Sequence, residues 1–105
     1  MQQFSVVFSP AAAEDLASIR AYIANANGVS VADSFVERLI AHCEGLARAP
    51  HRGTVRDQIR PGLRVIGWRR TITIAFAVDD EAHRVDIAGV FYLGRNVADE
   101  MAKRS

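Results

Sequence analysis

The sequence predicts one α+β domain over residues 1–105: an N-terminal strand, an antiparallel helical hairpin, a three-stranded antiparallel meander in one small sheet, and a short C-terminal helix. Three observations support this fold class. Apolar residues alternate near the start, recur at helical spacing between residues 9 and 49, and alternate again between residues 63 and 92. No linker, repeat or low-complexity segment divides the chain, and its length suits a single hydrophobic core.

The first strand is followed directly by the first helix. Phe4, Val6 and Phe8 recur at every second position, which predicts a short strand with one buried face. Ser9 is a favourable N-cap, and Pro10 suits the first helical position because an N–H there would have no partner within the helix. The helix is expected over residues 11–26, and its buried stripe consists of Ala12, Leu16, Ile19 and Ile23.

A second helix is predicted after Gly28. Ser30, followed three positions later by Asp33, resembles a capping box, so the helix is expected to start at Ser30. Pro50 ends it, and residues 9–49 therefore form an antiparallel helical hairpin. The buried stripe of the second helix consists of Phe35, Leu39, Cys43 and Leu46.

The second half of the chain predicts a loop and then three strands. Gly53, Pro61 and Gly62 interrupt any helix in the segment after Pro50, so this segment is expected to be a loop that enters a strand at Leu63. The next two strands are joined by a polar turn. They are predicted over Thr71–Asp79 and Arg84–Tyr92, and a final short helix over Arg95–Lys103 makes its contacts through Val97 and Met101.

Alternation assigns side chains to the two faces of these strands. In the first strand of the meander, Leu63, Val65 and Gly67 are expected to face inward, and Arg64, Ile66 and Trp68 to face the other way. In the middle strand, Ile72, Ile74, Phe76 and Val78 share one side. In the last strand, Phe91 is expected on the same face as Val85 and Ile87, and Tyr92 on the other face with Arg84, Asp86 and Ala88. Arg64 and Tyr92 are therefore predicted to share the sheet face opposite the helices.

Composition restricts the class of protein and its location. Half of the residues are hydrophobic and 24% are charged, as in an ordinary soluble globular domain. No apolar run approaches the roughly 18 residues that span a bilayer, and residues 1–10 lack a signal-peptide pattern, so a cytoplasmic protein without membrane contact is expected. Cys43 is the only cysteine and is expected in the core. Asp79–Glu81 lack calcium-loop spacing, and no metal or cofactor is expected.

Arginine is concentrated in the middle of the chain. Between Arg48 and Arg70, seven arginines stand against one acid, Asp57, so the segment has a net charge of +6 in a chain whose total is +1. Positive charge separated from acids is typical of surfaces that bind nucleic acid, a nucleic-acid enzyme or an acidic partner. Solvated salt bridges are the alternative. The candidate partner-binding residues are Arg52, Arg56, Arg60, Arg64, Arg69, Arg70, Tyr92 and Arg95.

Three segments together resemble the RelE/ParE family of type II toxins, and the middle one resembles the ParE branch in particular. They are the front residues Phe8, Ser9, Pro10, Ala12, Asp15, Leu16 and Ile19, the segment APHRGTVRDQIRPGLR, and the segment VDIAGVFYLGRNV. The resemblance covers nearly the whole chain. It implies a helical hairpin on one face of a small antiparallel sheet, and a cognate antitoxin that wraps across the toxin. The residues expected to line the antitoxin groove are Leu16, Ile23, Phe35 and Leu39.

The two branches of this family imply different activities. The ParE branch implies inhibition of DNA gyrase, and the RelE branch implies cleavage of messenger RNA on the ribosome. Cleavage needs a general base, an acid and cations around the phosphate. Arg64, Tyr92 and Arg95 are the candidates for such a set. Against it, Phe91 stands where a histidine would be useful, the sheet has no lysine, and the three histidines, His42, His51 and His83, lie elsewhere.

The first hypothesis is therefore a ParE-like toxin that inhibits gyrase by binding, without chemistry of its own. A RelE-like ribosome-dependent ribonuclease is the alternative. A third hypothesis is a toxin-fold protein that has lost activity and remains a partner of an antitoxin.

Overall fold

The computed structural model describes residues 3–104. The N-terminal strand, β1, spans Ser5–Phe8, and helix α1 spans Pro10–Asn27. The Ser9 side chain accepts a hydrogen bond of 3.0 Å from the Ala12 N–H, as an N-cap does. The strand, the cap and the helix are therefore confirmed. The predicted domain also includes Met1, Gln2 and Ser105, which lie outside the described residues.

Helix α2 spans Val29–Glu44 and forms the predicted hairpin with α1. Gly28 alone joins the two helices, and its φ of 98° suits a residue without a Cβ. The predicted start at Ser30 with a capping box is wrong, because α2 begins one residue earlier and has no side-chain cap. Asp33 instead pairs with Arg20 on α1 at 2.7 Å. A 3-10 turn over Gly45–Ala47 follows α2.

The sheet has five strands in the order β1-β5-β4-β3-β2. Strand β1 pairs in parallel with β5, and the other neighbours are antiparallel. The short edge strand β2, Thr54–Val55, lies in the segment predicted to be entirely loop. The remaining strands confirm the meander, with β3 over Leu63–Trp68, β4 over Ile72–Asp79 and β5 over Arg84–Tyr92.

A β-bulge in β5 reverses the predicted faces of its last residues. Ala75 of β4 is opposite Gly89, but the next residue, Phe76, is opposite Ile87, so Ala88 has no partner on β4. An extra residue changes the phase of the alternation for everything that follows it. As a result, Phe91 lies on the face away from α1 and α2, and Tyr92 lies on the face beneath them.

The sheet separates two hydrophobic clusters. The larger lies between the sheet and the α1–α2 hairpin, and its largest fully buried side chains include Phe76, Leu39 and Leu46. The smaller lies on the other face, under helix α3 (Val97–Ala102), and consists of Leu63, Ala75, Phe91 and Met101. The short C-terminal helix and its contacts are thereby confirmed.

The two faces of β3 are covered by different elements. Leu63 and Val65 belong to the smaller cluster under α3, and Ile66 and Trp68 pack in the larger cluster under the hairpin. By strand alternation, Arg64 shares the hairpin face with Ile66 and Trp68. The alternation itself was predicted correctly. The predicted location of Arg64 and Tyr92 on the face opposite the helices is wrong for both residues.

Asp15 on α1 and Arg104 form an ion pair next to the bulge of β5. We refer to these two residues as the clasp. The Arg104 Nη2–Asp15 Oδ1 distance is 2.6 Å, and the Nη1–Oδ2 distance is 2.8 Å. Arg104 also donates to the Ala88 carbonyl oxygen at 2.9 Å, and the Val90 N–H donates to Asp15 at 2.9 Å. The clasp thus satisfies backbone groups that the bulge removes from the ladder.

The clasp is shielded from solvent and closely packed. The side chains of Arg104 and Asp15 are 17% and 14% exposed, and the hydrogen bond to Asp15 raises the pKa of Arg104. Arg104 also lies over the Phe91 ring, with its guanidinium carbon 4.8 Å from the ring centre. A Cβ at Gly89 would clash with the ends of the Phe91 and Arg104 side chains, so a larger residue there would displace both. Among the described residues, no helix is long and apolar enough to cross a membrane.

Candidate partner-binding surface

Six of the candidate arginines flank or occupy the two strands at one side of the sheet, and we refer to them as the arginine edge. Arg52 and Arg56 flank β2, and Arg64 lies in β3 opposite Val55. The edge consists of Arg52, Arg56, Arg60, Arg64, Arg69 and Arg70. The Arg64 guanidinium donates to the Arg52 carbonyl oxygen at 3.3 Å, which ties the start of β3 to the residues before β2.

None of the six has a carboxylate oxygen within 4.0 Å in the described part of the chain. The nearby acid in the sequence, Asp57, uses its Oδ1 to accept a hydrogen bond of 2.8 Å from the Gly62 N–H. This bond closes the turn that leads into β3. The alternative, salt bridges of these arginines with Asp57 or the helix acids, is therefore not seen within 4.0 Å among the described residues.

The β3–β4 hairpin places two arginines at its tip in an unfavourable backbone conformation. Arg69 and Arg70 have φ values of 53° and 64°, in the left-handed region. This region costs a residue with a side chain roughly 1–2 kcal/mol, and glycine or asparagine is usual there. The Arg69 guanidinium lies 4.8 Å from the centre of the Trp68 ring. Trp68 is in turn held by Phe35, with ring centres 5.3 Å apart.

Tyr92 and Arg64 do not form a common site. Tyr92 is opposite Ile72, and Arg64 is opposite Phe76, so they are four positions apart along β4, or about 13 Å. Tyr92 packs edge-on against Tyr22 of α1, with ring centres 5.4 Å apart. The structure therefore separates two of the three residues that a ribonuclease set would need.

The end of β5 forms a shallow cleft with α1. The cleft has a volume of about 230 Å³, and its lining includes Tyr22, Tyr92, Leu93 and Arg95. Tyr22 and Leu93 are 53% and 58% exposed, and Leu93 has a left-handed φ of 56°. Arg95 is exposed and lies 3.8 Å from Glu100. Sequence reasoning did not single out Leu93, because an isolated leucine after a strand has no distinguishing pattern.

The four residues expected to line an antitoxin groove differ in exposure. Leu16 and Phe35 are half-buried against the larger cluster. Ile23 is 6% exposed and Leu39 is fully buried. Ile23 and Leu39 therefore lie in the core, and direct contact with a partner is open only to Leu16 and Phe35.

Two titratable side chains of α2 lie at or beside the core. Burial raises the pKa of the Cys43 thiol to about 12, in agreement with its predicted place in the core. Burial, followed by the positive charge of Arg52, lowers the pKa of His42. The His42 ring centre is 6.0 Å from that of Trp68, and its buried Nε2 has no hydrogen-bond partner among the described residues.

Within residues 3–104, no group of His, Cys, Asp and Glu side chains is arranged to hold a metal ion.

The lowered pKa of His42 predicts a loss of stability in mild acid. The unfolded chain binds a proton at His42 near pH 6.5, but the folded chain does so only at lower pH. The unfolded state therefore binds more protons as the pH falls below about 6.5, and the free energy of unfolding decreases. Urea unfolding at several pH values should show a smaller decrease for His42→Phe. His83→Asn, at an exposed turn position, should retain the full decrease; equal slopes for His42→Phe and the unaltered protein would contradict this assignment.

Comparisons with known proteins agree with this fold. The model of the family described as the ParE toxin of the type II toxin–antitoxin system parDE matches residues 6–96. No curated protein matches the sequence significantly. A chain of the chromosomal ParDE system from P. aeruginosa has a TM-score of 0.74 at 21% identity, covering 87% of this chain and 97% of that one.

Two further solved structures are similar. A chain of the RelBE2 toxin–antitoxin complex from Mycobacterium tuberculosis has a TM-score of 0.63 at 22% identity, covering 90% of this chain and 97% of that one. The isolated E. coli RelE toxin has a TM-score of 0.57 at 16% identity, covering 96% of each chain. At these identities, the likeness concerns the fold.

Proposed function

Because the chain belongs to the ParE toxin family of type II toxin–antitoxin systems, we propose that it inhibits DNA gyrase by binding and that a cognate antitoxin neutralises it. The observation that carries this proposal is the family match over residues 6–96. The geometry of the candidate ribonuclease residues supports binding over RNA cleavage.

Cleavage by attack of a 2′-hydroxyl requires a base and an acid within hydrogen-bond reach of one phosphate. The backbone positions of Arg64 and Tyr92 are about 13 Å apart along β4, and the Tyr92 ring packs against Tyr22 and Phe35, which does not support a shared phosphate site. His51, whose ring Nε2–H donates to the Asp80 carboxylate at 2.9 Å, lies beside the β4–β5 turn. Inhibition by binding needs no such cluster, and it is compatible with dispersed arginines and an exposed apolar cleft.

The proposed antitoxin has several exposed apolar side chains to cover. Val7 on the outer strand β1 and Val55 on the edge strand β2 are each 47% exposed. Tyr22 and Leu93 at the cleft add a third apolar area. Unprotected strand edges favour association with other chains, and an antitoxin segment that adds a strand or a helix is a common way to cover them. The similar structures include toxin–antitoxin complexes, which supports a partner of this kind.

The Tyr92→Phe variant separates the gyrase hypothesis from the ribonuclease hypothesis. If the protein acts by binding, removal of one hydroxyl costs at most about 1 kcal/mol, so inhibition of supercoiling by purified gyrase should remain close to normal. If it is a ribonuclease that uses Tyr92 as an acid, cleavage of messenger RNA in a translation-coupled assay should fall by about two to four orders of magnitude. Both assays should be run on both proteins.

The outcomes are distinct. If the unaltered protein cleaves messenger RNA at codons and leaves gyrase unaffected, the proposal is overturned in favour of the ribonuclease. If the unaltered protein has no effect in either assay, it is a toxin-fold protein without activity. Arg20→Ala, which removes a paired surface charge on α1, is the control. Deletion of residues 93–104 is unsuitable, because it also removes Met101 from the smaller cluster and Arg104 from the clasp.

A further inference from the structure

We propose that the arginine edge, Arg52, Arg56, Arg60, Arg64, Arg69 and Arg70, binds the phosphate backbone of duplex DNA. This activity goes beyond inhibition of gyrase, since it is a property of the isolated chain and needs no protein target. Three features of the edge carry the inference: its free charge, the conformation of its hairpin tip, and the scarcity of exposed apolar side chains.

The first feature is the difference between the edge and the arginines elsewhere. Arg20, Arg84 and Arg104 each have a carboxylate oxygen within 3.3 Å. The six guanidinium groups of the edge have none within 4.0 Å in the described residues. A guanidinium without a carboxylate partner can bind phosphate oxygens in a bidentate manner. Of the edge, Arg64 uses one donor within the chain, to the Arg52 carbonyl oxygen.

The second feature is the tip of the β3–β4 hairpin. Arg69 and Arg70 both occupy the left-handed region that glycine or asparagine adopts at much lower cost. A hairpin selected for stability alone would not place two arginines there. Backbone strain of this kind is found where function requires the side chain, and here it directs two cations from the end of the sheet into solvent.

The third feature distinguishes DNA from other polyanionic partners. Protein partners are usually bound through buried apolar anchors, but Val55 is the only large exposed hydrophobic side chain among residues 48–70. Single-stranded nucleic acid is bound by stacking bases on exposed aromatic rings. Trp68 is the one aromatic of the segment, and Arg69, Phe35 and His42 already surround its ring. The edge is therefore suited to phosphates and poorly suited to bases or apolar side chains.

The length of the edge suits a duplex. Arg64 and Trp68 are four positions apart in β3, or about 13 Å, and Arg69 and Arg70 lie beyond Trp68 in the turn. Duplex DNA carries one charge per about 1.7 Å of its axis, so a stretch of about 13 Å alone presents about eight phosphates. Contacts spread along a rigid polyanion can use several of the arginines, whereas a single small anion can use only one or two.

The test compares two double variants that remove the same charge. Arg69→Asn with Arg70→Gly removes two cations from the edge and introduces residues suited to the left-handed region. Arg20→Ala with Lys103→Ala removes two cations elsewhere. Binding of the purified proteins to a fluorescent duplex of about 20 base pairs is measured by anisotropy between about 50 and 200 mM NaCl.

We expect the hairpin variant, with Arg69→Asn and Arg70→Gly, to bind the duplex at least tenfold more weakly than the unaltered protein. The slope of log K against the logarithm of the salt concentration should be less steep by about 2. The control variant should stay within about twofold of the unaltered protein. The hairpin variant should also unfold at the same or a higher temperature, so that its loss of binding cannot be attributed to misfolding. A second edge variant, Arg52→Ala with Arg56→Ala, should weaken binding in the same way.

Three results would overturn the proposal. The first is no binding of the unaltered protein at low salt. The second is an equal loss in the control variant, which would indicate a response to net charge alone. The third is displacement of the duplex by an equal charge concentration of single-stranded RNA or polyglutamate, which would assign the edge to RNA or to an acidic protein segment. None of these results depends on whether gyrase is inhibited.

Discussion

Replacement of Asp15 by alanine is expected to lower the free energy of unfolding by about 2–4 kcal/mol. The substitution leaves Arg104, only 17% exposed, without its counter-ion. It also leaves the Val90 N–H without its acceptor at the bulge. A buried charge or donor that loses its partner costs more than the net strength of the bond itself, because it has no water to replace that partner.

Urea unfolding of the Asp15→Ala variant measures this cost. Glu37→Ala is the control, because Glu37 is an exposed acid of α2 and forms no ion pair within the described residues. Arg104→Met and the double variant complete a cycle. If the double variant is less destabilised than the sum of the two single variants, the two residues act as a pair. A loss below about 0.5 kcal/mol for Asp15→Ala, typical of a surface site, would show that the clasp does not stabilise the fold.

The second large effect is expected for Leu39→Ala, at about 2–5 kcal/mol. Leu39 is fully buried between α2 and the sheet, so truncation removes apolar contact and leaves a cavity that the close-packed neighbours fill only in part. Leu16→Ala is the comparison, because Leu16 is half-buried and should cost less.

This prediction also separates two roles for Leu39. If it supports the core, the urea midpoint falls, and antitoxin affinity measured under conditions where both proteins are folded changes little. If Leu39 lined a partner groove, as the sequence suggested, affinity would fall and stability would not. The second pattern would show that the hairpin opens when the antitoxin binds.

The helices and the central strands could be predicted from the sequence because their signals are local. The cap at Ser9, the helical stripe of α1 and the alternation of β4 each arise from residues within a few positions of one another. The same local signals could not show the bulge at Ala88. An alternating pattern does not reveal that one residue is extra, so Phe91 and Tyr92 were assigned to the wrong faces.

The candidate surface was predictable in part for the same reason. The density of arginine is visible in the sequence, but the lack of acid partners depends on the fold, which engages Asp57 with Gly62. Strand β2 has only two residues, too few to show a period, and it was therefore predicted as loop. The clasp joins positions 89 residues apart, and single-sequence patterns contain no information about such pairs.

The parallel pairing of β1 with β5 and the closure of the clasp have a consequence for the order in which the chain folds during synthesis. Ser5 pairs with Arg84, and Asp15 with Arg104, so the first strand and first helix find their partners only after residues 84–104 have been synthesised. Contacts between distant positions form late because closing a long loop costs entropy first. We therefore expect nascent chains that stop short of Arg104 to remain incompletely folded, because β1 and the clasp still lack their partners.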